Sequence, residues 1–459
     1  MQYKIVIIGG GPGGYVAAIR AAQMGAKVAL IERERVGGTC LNWGCIPTKA
    51  LVAGAELLRK IQSAGEFGIT IENKEFNLAK LMERKDAVVN KMVTGINYLL
   101  KKNKVDLIPG AAKLGETGKV IVELNDGGIS ELAAENIILA TGTKPATIAA
   151  LGYDGQKVIT SNEALILQEV PPELLIVGGG VIGCEFACIF AEMGSRVTIV
   201  EAMPTILPFT DRDAARQMQT ILKRRGITVK TKAKIERVAR TQEGVTAFLE
   251  GNEAIYADKV LISIGRTMNV MGLGLEEAGV ALGQRGEVIV DEYLKTSVPG
   301  VYAIGDITGK VQLAHVASAQ GLAAVENIMG QPRKMDYRVI PSCIFTIPEV
   351  AGVGLTIQQC EELGLKAKVG KFPFMASGKA AAMGETEGFV KCLADPETDK
   401  VLGVHIVGPH ATDLISEAAL AIKMGATVEQ VTQVIHAHPT LAEALLEAAE
   451  AVHGRAIHI

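Results

Sequence analysis

Cys40 and Cys45 stand five positions apart in the run Gly37-Gly38-Thr39-Cys40-Leu41-Asn42-Trp43-Gly44-Cys45-Ile46-Pro47-Thr48-Lys49. Two thiols at that spacing meet if the backbone between them makes a distorted helical turn, with Gly44 relaxing the geometry. A pair that meets can cycle between dithiol and disulfide and so pass two electrons. The thiolate is the reactive form, and a free cysteine is mostly protonated at neutral pH, so the pair needs a proton acceptor. The run His436-Ala437-His438-Pro439-Thr440-Leu441-Ala442-Glu443 offers one. Pro439 keeps His438 out of a helix and places it just before one, whose first turn can carry Glu443 back toward the ring. A carboxylate in that place sets the tautomer of the histidine and raises its basicity. Each feature alone has a plain packing explanation, but together they point to thiol redox chemistry.

The elements that must position these residues are announced by a repeat. Strand Ile5–Ile8 runs into Gly9-Gly10-Gly11-Pro12-Gly13-Gly14, a helix follows, and Val28-Ala29-Leu30-Ile31-Glu32 reads as the next strand. Strand Leu174–Val177 runs into Gly178-Gly179-Gly180-Val181-Ile182-Gly183, then a helix, then Val197-Thr198-Ile199-Val200-Glu201. Gly9 and Gly178, Gly14 and Gly183, and Glu32 and Glu201 are each separated by 169 positions. In such a turn the first glycine (Gly9, Gly178) makes the bend. The second (Gly11, Gly180) admits a pyrophosphate to the backbone, and the third (Gly14, Gly183) lets helix pack on strand. The pyrophosphate would lie at a helix N-terminus, and Glu32 and Glu201 can accept from an adenosine ribose. Glu201 would repel a 2′-phosphate, and Ala202–Pro208 contains no basic residue, so the second unit should prefer NAD over NADP. Two dinucleotides and a dithiol in one chain call for an electron relay, and a flavin is the simplest.

Length and composition agree with this layout. At 459 residues, with 51 glycines and 48% hydrophobic residues, the chain suits a multi-domain α/β protein. A net charge of −3 gives no electrostatic reason to expect nucleic acid or an anionic membrane as partner. The opening residues have no signal-peptide pattern, no apolar run reaches the length of a membrane span, and seven cysteines do not make a disulfide framework. These features point to the cytosol. Asn136–Leu139 looks like a buried strand, and the turn after it, with Thr141 and Gly142, like the exit from the first domain; Val260–Ile264 and Gly265-Arg266 look like the matching exit from the second. From about Met335 the pattern changes to alternating strands (388–393, 401–407) followed by helices (412–424, 441–453), a separate α+β domain. Cys184 and Cys188 share a helix face and suit packing, while Cys343, Cys360 and Cys392 suggest no role.

The cysteine box, both glycine fingerprints, Gly305-Asp306 and His438-Pro439-Thr440 fall in the order found in class I pyridine nucleotide-disulfide oxidoreductases. The chain resembles that family over essentially its whole length, and within it the branch that acts on lipoyl groups. The resemblance implies an FAD-binding domain (1–145), an NAD-binding domain (146–266), a central domain (267–335) and a dimerisation domain (336–459). It implies that Cys40 exchanges with substrate while Cys45 faces the flavin. Lys49 and Glu185 match an ion pair beside the isoalloxazine, and Asp306 an acid that bonds the ribityl chain. Gln312, Leu313, Ala314 and His315 open a helix whose dipole would favour an anionic reduced flavin. Ala112, with Thr141 and Gly142, falls on the FAD side, whereas Ile235 and Gly265 match NAD contacts. His438 and Glu443 match a base and its orienting acid that reach the dithiol of a partner subunit in a homodimer. The implied reaction is oxidation of the dihydrolipoyl arm of a carrier protein from a 2-oxo-acid dehydrogenase or glycine-cleavage system, with hydride passing to NAD. Two other readings stay open: a different disulfide reductase of the same family, and a mainly structural subunit of a multienzyme complex.

Overall fold

The computed structural model describes every residue except Met1, Lys74 and Asn252. The chain forms two compact units, each built from three stretches: Met1–Leu51, Ala79–Ala146 and Gly265–Asp336 in one, and Val52–Leu78, Thr147–Ile264 and Tyr337–Ile459 in the other.

In the first unit, Gln2–Ile8, Val28–Glu32, Asp106–Leu114, Ile129–Leu139 and Val301–Ala303 form a parallel sheet with Gln2–Ile8 near its middle. Lys119–Leu124 joins the far halves of Asp106–Leu114 and Ile129–Leu139 by antiparallel pairing. Ile5, Ile7, Leu30 and Ile138 are fully buried, as expected for parallel strands covered on both faces. Helix Pro12–Gln23 packs on helix Ala314–Ile328, and glycine permits the approach: a Cβ on Gly321 would lie 2.6 Å from the Gly13 carbonyl oxygen. The segment read as a separate central domain therefore supplies a strand and a helix to the first glycine-turn unit.

The second unit contains a parallel sheet in the order Thr228–Thr231, Arg196–Glu201, Glu173–Val177, Lys259–Ile262, Val158–Ile159. It also contains a five-stranded antiparallel sheet of Ser342–Ile344, Glu349–Gly354, Val401–Gly408, Phe389–Ala394 and Lys368–Pro373. Helices Ala411–Met424 and Glu443–Val452 pack on that sheet. A Cβ on Gly370 would meet the Ala448 carbonyl oxygen at 2.0 Å, so this glycine lets the helix that begins at Glu443 sit directly on its strand. Two dinucleotide-type sheets and a terminal α+β sheet make up the α/β fold expected from the sequence. No helix among the described residues is long and apolar enough to cross a membrane.

Candidate active site

The dithiol is built onto the first glycine turn. Gly37 N–H donates to the Gly10 carbonyl at 2.8 Å, and a Cβ on Gly38 would lie 2.7 Å from Gly11 Cα. Gly37 (φ 99°) and Gly38 (φ 54°) occupy the left-handed region, so the chain can cross the turn at contact distance and start a helix at once. That helix, Gly38–Asn42, stops at Trp43, and a longer helix, Cys45–Gln62, begins at Cys45. Gly44 fits between them because a Cβ there would lie only 3.0 Å from the Thr39 carbonyl oxygen. The break brings the two sulfurs within hydrogen-bonding reach. The Cys40 pKa is raised, first by its hydrogen bond to Cys45, then by burial and by the Cys45 charge, against a lowering by Lys49. These influences favour the thiol form of Cys40 beside the Cys45 sulfur. Cys45 also has the helix N-terminus to favour a thiolate. Tyr15 packs in the same cluster, and burial and Cys40 raise its pKa.

The two glycine turns are close copies. Gly9 and Gly178 have φ 107° and 106°; Gly10 N–H donates to Glu32 Oε2 at 2.8 Å and Gly179 N–H to Glu201 Oε2 at 2.6 Å. A Cβ on Gly14 or Gly183 would meet the carbonyl oxygen of Gly9 or Gly178 at 1.8 or 2.0 Å. Around Gly11 and Gly180 the space is open: the nearest atom to a Cβ is 3.9 Å away at Gly11, and none lies within 4 Å at Gly180. Helices Pro12–Gln23 and Val181–Glu192 both start there without a side-chain cap. Open space before unshared first-turn N–H groups fits a pyrophosphate at each turn. Each carboxylate spends one lone pair per oxygen on backbone: Glu32 Oε1 accepts from Glu34 N–H at 2.9 Å and Glu201 Oε1 from Met203 N–H at 2.7 Å. Lone pairs remain for a ribose.

Ala112 lies three residues beyond Pro109, which pairs with Glu32 across the sheet. Ala233 N–H donates to the Glu201 carbonyl at 3.0 Å, which brings the backbone leading to the buried Ile235 alongside that acid. Helix Ala314–Ile328 follows Gln312 and Leu313 without a side-chain cap and carries His315 in its first turn. Buried Gln320 on that helix accepts from Gly305 N–H at 2.6 Å and so sets the turn that bears Asp306. Glu185 is buried and accepts from Phe345 N–H at 2.9 Å. Cys184 and Cys188 are buried as well. Burial pushes the Cys188 thiol up to about 11, and its sulfur lies 3.5 Å from the Ile347 nitrogen.

Around Asp306 the structure adds residues that the sequence did not single out. Asp306 Oδ2 accepts from Thr143 Oγ1 at 2.7 Å, while Arg266 Nε donates to that hydroxyl at 2.7 Å and Arg266 Nη2 to the Thr143 carbonyl at 2.8 Å. Asn269 bonds Thr141 and Gly142: its amide donates to the Thr141 carbonyl at 2.9 Å and its N–H to the Gly142 carbonyl at 2.9 Å. Arg266–Met268 pairs antiparallel with Thr143–Pro145, so Gly265 and Arg266 group with the first unit rather than simply closing the second. The partners are more than a hundred positions apart, and no local pattern announces them. In the other unit His438 Nδ1 lies 2.8 Å from Glu443 Oε1, and Glu443 Oε2 accepts from Thr440 N–H at 2.9 Å. Partial burial works to raise the Glu443 pKa, but the His438 hydrogen bond and the Thr440 N–H lower it overall. An anionic Glu443 accepts from Nδ1–H and leaves Nε2 as the basic atom. The imidazole is 80% exposed.

The sequence profile of the pyridine nucleotide-disulphide oxidoreductase family matches residues 3–321. The chain belongs to that family. A second profile, the dimerisation domain of pyridine nucleotide-disulphide oxidoreductases, matches residues 340–449 and contains His438 and Glu443. Among curated relatives, a dihydrolipoyl dehydrogenase of Bacillus subtilis is 45% identical, with 100% of this chain and 99% of that protein covered. Among solved structures, LpdA from Mycobacterium tuberculosis superposes with a TM-score of 0.92 at 30% identity, covering 98% and 99% of the two chains. The HOCl-induced flavoprotein disulfide reductase RclA from Escherichia coli superposes at 0.89 with 30% identity, covering 98% and 100%. As a member of this oxidoreductase family, the chain is an enzyme with a dimerisation domain.

Proposed function

We propose that this enzyme oxidises the dihydrolipoyl group of a carrier protein to lipoyl and delivers the electrons to NAD, using FAD and a Cys40–Cys45 disulfide. The observation that carries the reading is the Cys40–Cys45 pair, brought within hydrogen-bonding reach by a helix break seated on a glycine turn. FAD would be held by the first turn, Glu32, Lys49, Ala112, Thr141, Gly142, Asp306 and the helix after Gln312 and Leu313. NAD would be held by the second turn with Glu185, Glu201, Ile235 and Gly265. FAD, when bound, exchanges two electrons with either thiolate or hydride, and NAD accepts the hydride.

The protein's residues handle sulfur and protons. His438 Nε2 takes a proton from dihydrolipoyl, whose thiolate attacks Cys40 in the disulfide. The Cys40–Cys45 bond breaks and Cys45 leaves as a thiolate, favoured by its helix N-terminus. The second substrate thiol attacks the mixed disulfide as its proton passes to the departing Cys40 sulfur, which frees lipoyl and returns Cys40 as a thiol. Glu443 holds the ring throughout and balances the imidazolium.

We read the active unit as a homodimer in which His438 serves the partner's dithiol. The exposure of His438, together with Leu420, Met424 and Ile435 at 64%, 75% and 97% in the dimerisation domain, supports a covering subunit. FAD binding is assigned to 1–145, NAD binding to 146–266, completion of the FAD site to 267–335 and the dimer interface to 336–459. A disulfide that must cycle through its dithiol form suits the cytosol. The test is optical. Purified protein should be yellow and bleach when dihydrolipoamide is added without oxygen, and Cys45→Ser should stay yellow and not bleach. Protein without flavin, or a wild type that dihydrolipoamide leaves unbleached, contradicts the reading.

A further inference from the structure

Strand Arg196–Glu201 ends at Glu201, and the chain then runs through 202–210 to helix Arg212–Arg224. That segment lies over the second glycine turn. Leu207 N–H donates to the Gly179 carbonyl at 2.8 Å, and a Cβ on Gly179 would lie 2.7 Å from Cγ2 of the buried Ile206. Leu207 sits in the left-handed region (φ 48°), which disfavours a leucine, so the segment keeps this shape only if both its ends are held. Glu201 holds one end. Asp211, which caps the helix and is fully buried, holds the other. Its Oδ1 accepts from Asp213 N–H at 3.0 Å and from Lys391 Nζ at 2.9 Å. Its Oδ2 accepts from Ile357 N–H at 3.1 Å and from Lys391 Nζ at 3.1 Å.

Lys391 and Ile357 belong to the dimerisation domain, on strand Phe389–Ala394 and at the start of helix Ile357–Glu362. The Lys391 side chain is only 1% exposed, and its ammonium also donates to Asp213 Oδ2 at 2.7 Å. Gln358 reinforces the contact: its amide donates to the Thr210 carbonyl at 2.8 Å and its Oε1 accepts from Arg212 N–H at 3.1 Å. At the far end of the helix, Arg225 donates to the Ile347 carbonyl and to Glu387. A buried ion pair gains little net stability over apolar side chains, whereas losing one member leaves the other charge stranded. Asp211 can therefore settle only where Lys391 meets it.

We propose that Lys391, acting through Asp211, is a positioning residue for NAD: the dimerisation domain holds segment 202–210 against the second glycine turn and so shapes the wall of the site beside Glu201. The inference rests on the assignment of NAD to that turn. Lys391 acts on the adenosine end by fixing the backbone between Glu201 and Asp211. The dithiol half of the reaction is insensitive to it, since dihydrolipoyl reduces the flavin before NAD is needed.

The test separates NAD binding from the dithiol half-reaction in purified, flavin-loaded protein. Lys391→Met keeps an unbranched stem and removes the charge. Its NAD affinity, titrated by calorimetry, should fall about tenfold, while the rate at which dihydrolipoamide bleaches the flavin stays within about twofold of wild type. Lys391→Arg, which keeps the charge and its donors, should recover most of the affinity. Gln358→Ala, which cuts the bonds to Thr210 and Arg212 but leaves the ion pair, should weaken NAD binding by about threefold. That variant carries the test should Lys391→Met not fold.

Unchanged NAD affinity in Lys391→Met, a bleaching rate that falls as far as the affinity, or equal losses in the Met and Arg variants overturns the proposal. If Lys391→Met does not fold, unchanged affinity in Gln358→Ala does so. These results are separable from failure of the assignment of NAD to the second turn, in which wild-type protein would bleach with dihydrolipoamide but bind no NAD.

Discussion

At the residue scale, the pair Cys40–Cys45 and the pair His438–Glu443 do different work and fail differently. His438→Gln removes the basic atom and should lower kcat with dihydrolipoamide by roughly 10²–10⁴-fold, with flavin content unchanged. Glu443→Gln leaves the base in place but substitutes an amide for the acceptor of Nδ1–H, so the loss should be about 10²-fold and steady-state kinetics would read it. Both pairs were legible in the sequence because their members lie five positions apart. Gly44 and Pro439, which shape the two backbones, stand between them. The Thr143–Arg266–Asp306 network was not legible, since its members are 123 and 163 positions from Thr143. Arg266 follows a strand of the second sheet, and nothing beside it in sequence says that its side chain belongs with Thr143 and Asp306.

At the element scale, the two glycine turns separate folding from binding. Gly183→Ala drives a methyl into the Gly178 carbonyl and should cost about 1–3 kcal/mol of stability in thermal or denaturant unfolding. Gly180→Ala meets no protein atom within 4 Å, so the fold should be nearly unaffected while NAD affinity falls about tenfold or more, as titration would show. Equal effects on stability would contradict these roles.

A second element-level case is Asp154, where burial works upward but the Arg240 guanidinium and the N–H groups of Gln156, Val158 and Lys157 hold the carboxyl down to about 2. The folded pKa lies below the ordinary value of 3.8, so its stabilisation is present above about pH 4 and is lost as pH falls toward 2. Asp154→Asn should flatten acid unfolding in that window and cost about 1 kcal/mol at pH 7, measured by denaturant titration. The strand–turn–helix–strand repeat was readable because each step is local. The exit from the second sheet was misleading: Lys259–Ile262 stays in that sheet, but Arg266–Met268 crosses to pair with Thr143–Pro145.

At the scale of the whole molecule, the dimerisation domain bears the proposed base, and the dithiol belongs to the other compact unit of the chain. Under the shared-site reading, a random mixture of Cys40→Ser and His438→Gln subunits should recover about a quarter of wild-type activity, since each heterodimer rebuilds one site of two. Recovery at the level of the separate variants would contradict shared sites. The family and its α/β class were legible from motif order. How three stretches of chain gather into each unit was not, because strand Val301–Ala303 finds Ile137–Leu139 only in three dimensions. The central claim is that electrons pass from dihydrolipoyl sulfur to NAD, and the most direct measurement is formation of NADH or NADPH from dihydrolipoamide under identical conditions. NADH should form readily, with NADPH slower by on the order of 100-fold if Glu201, as proposed, stands where it would repel a 2′-phosphate. No reduced nucleotide from dihydrolipoamide, alongside good activity on another disulfide, would contradict that claim.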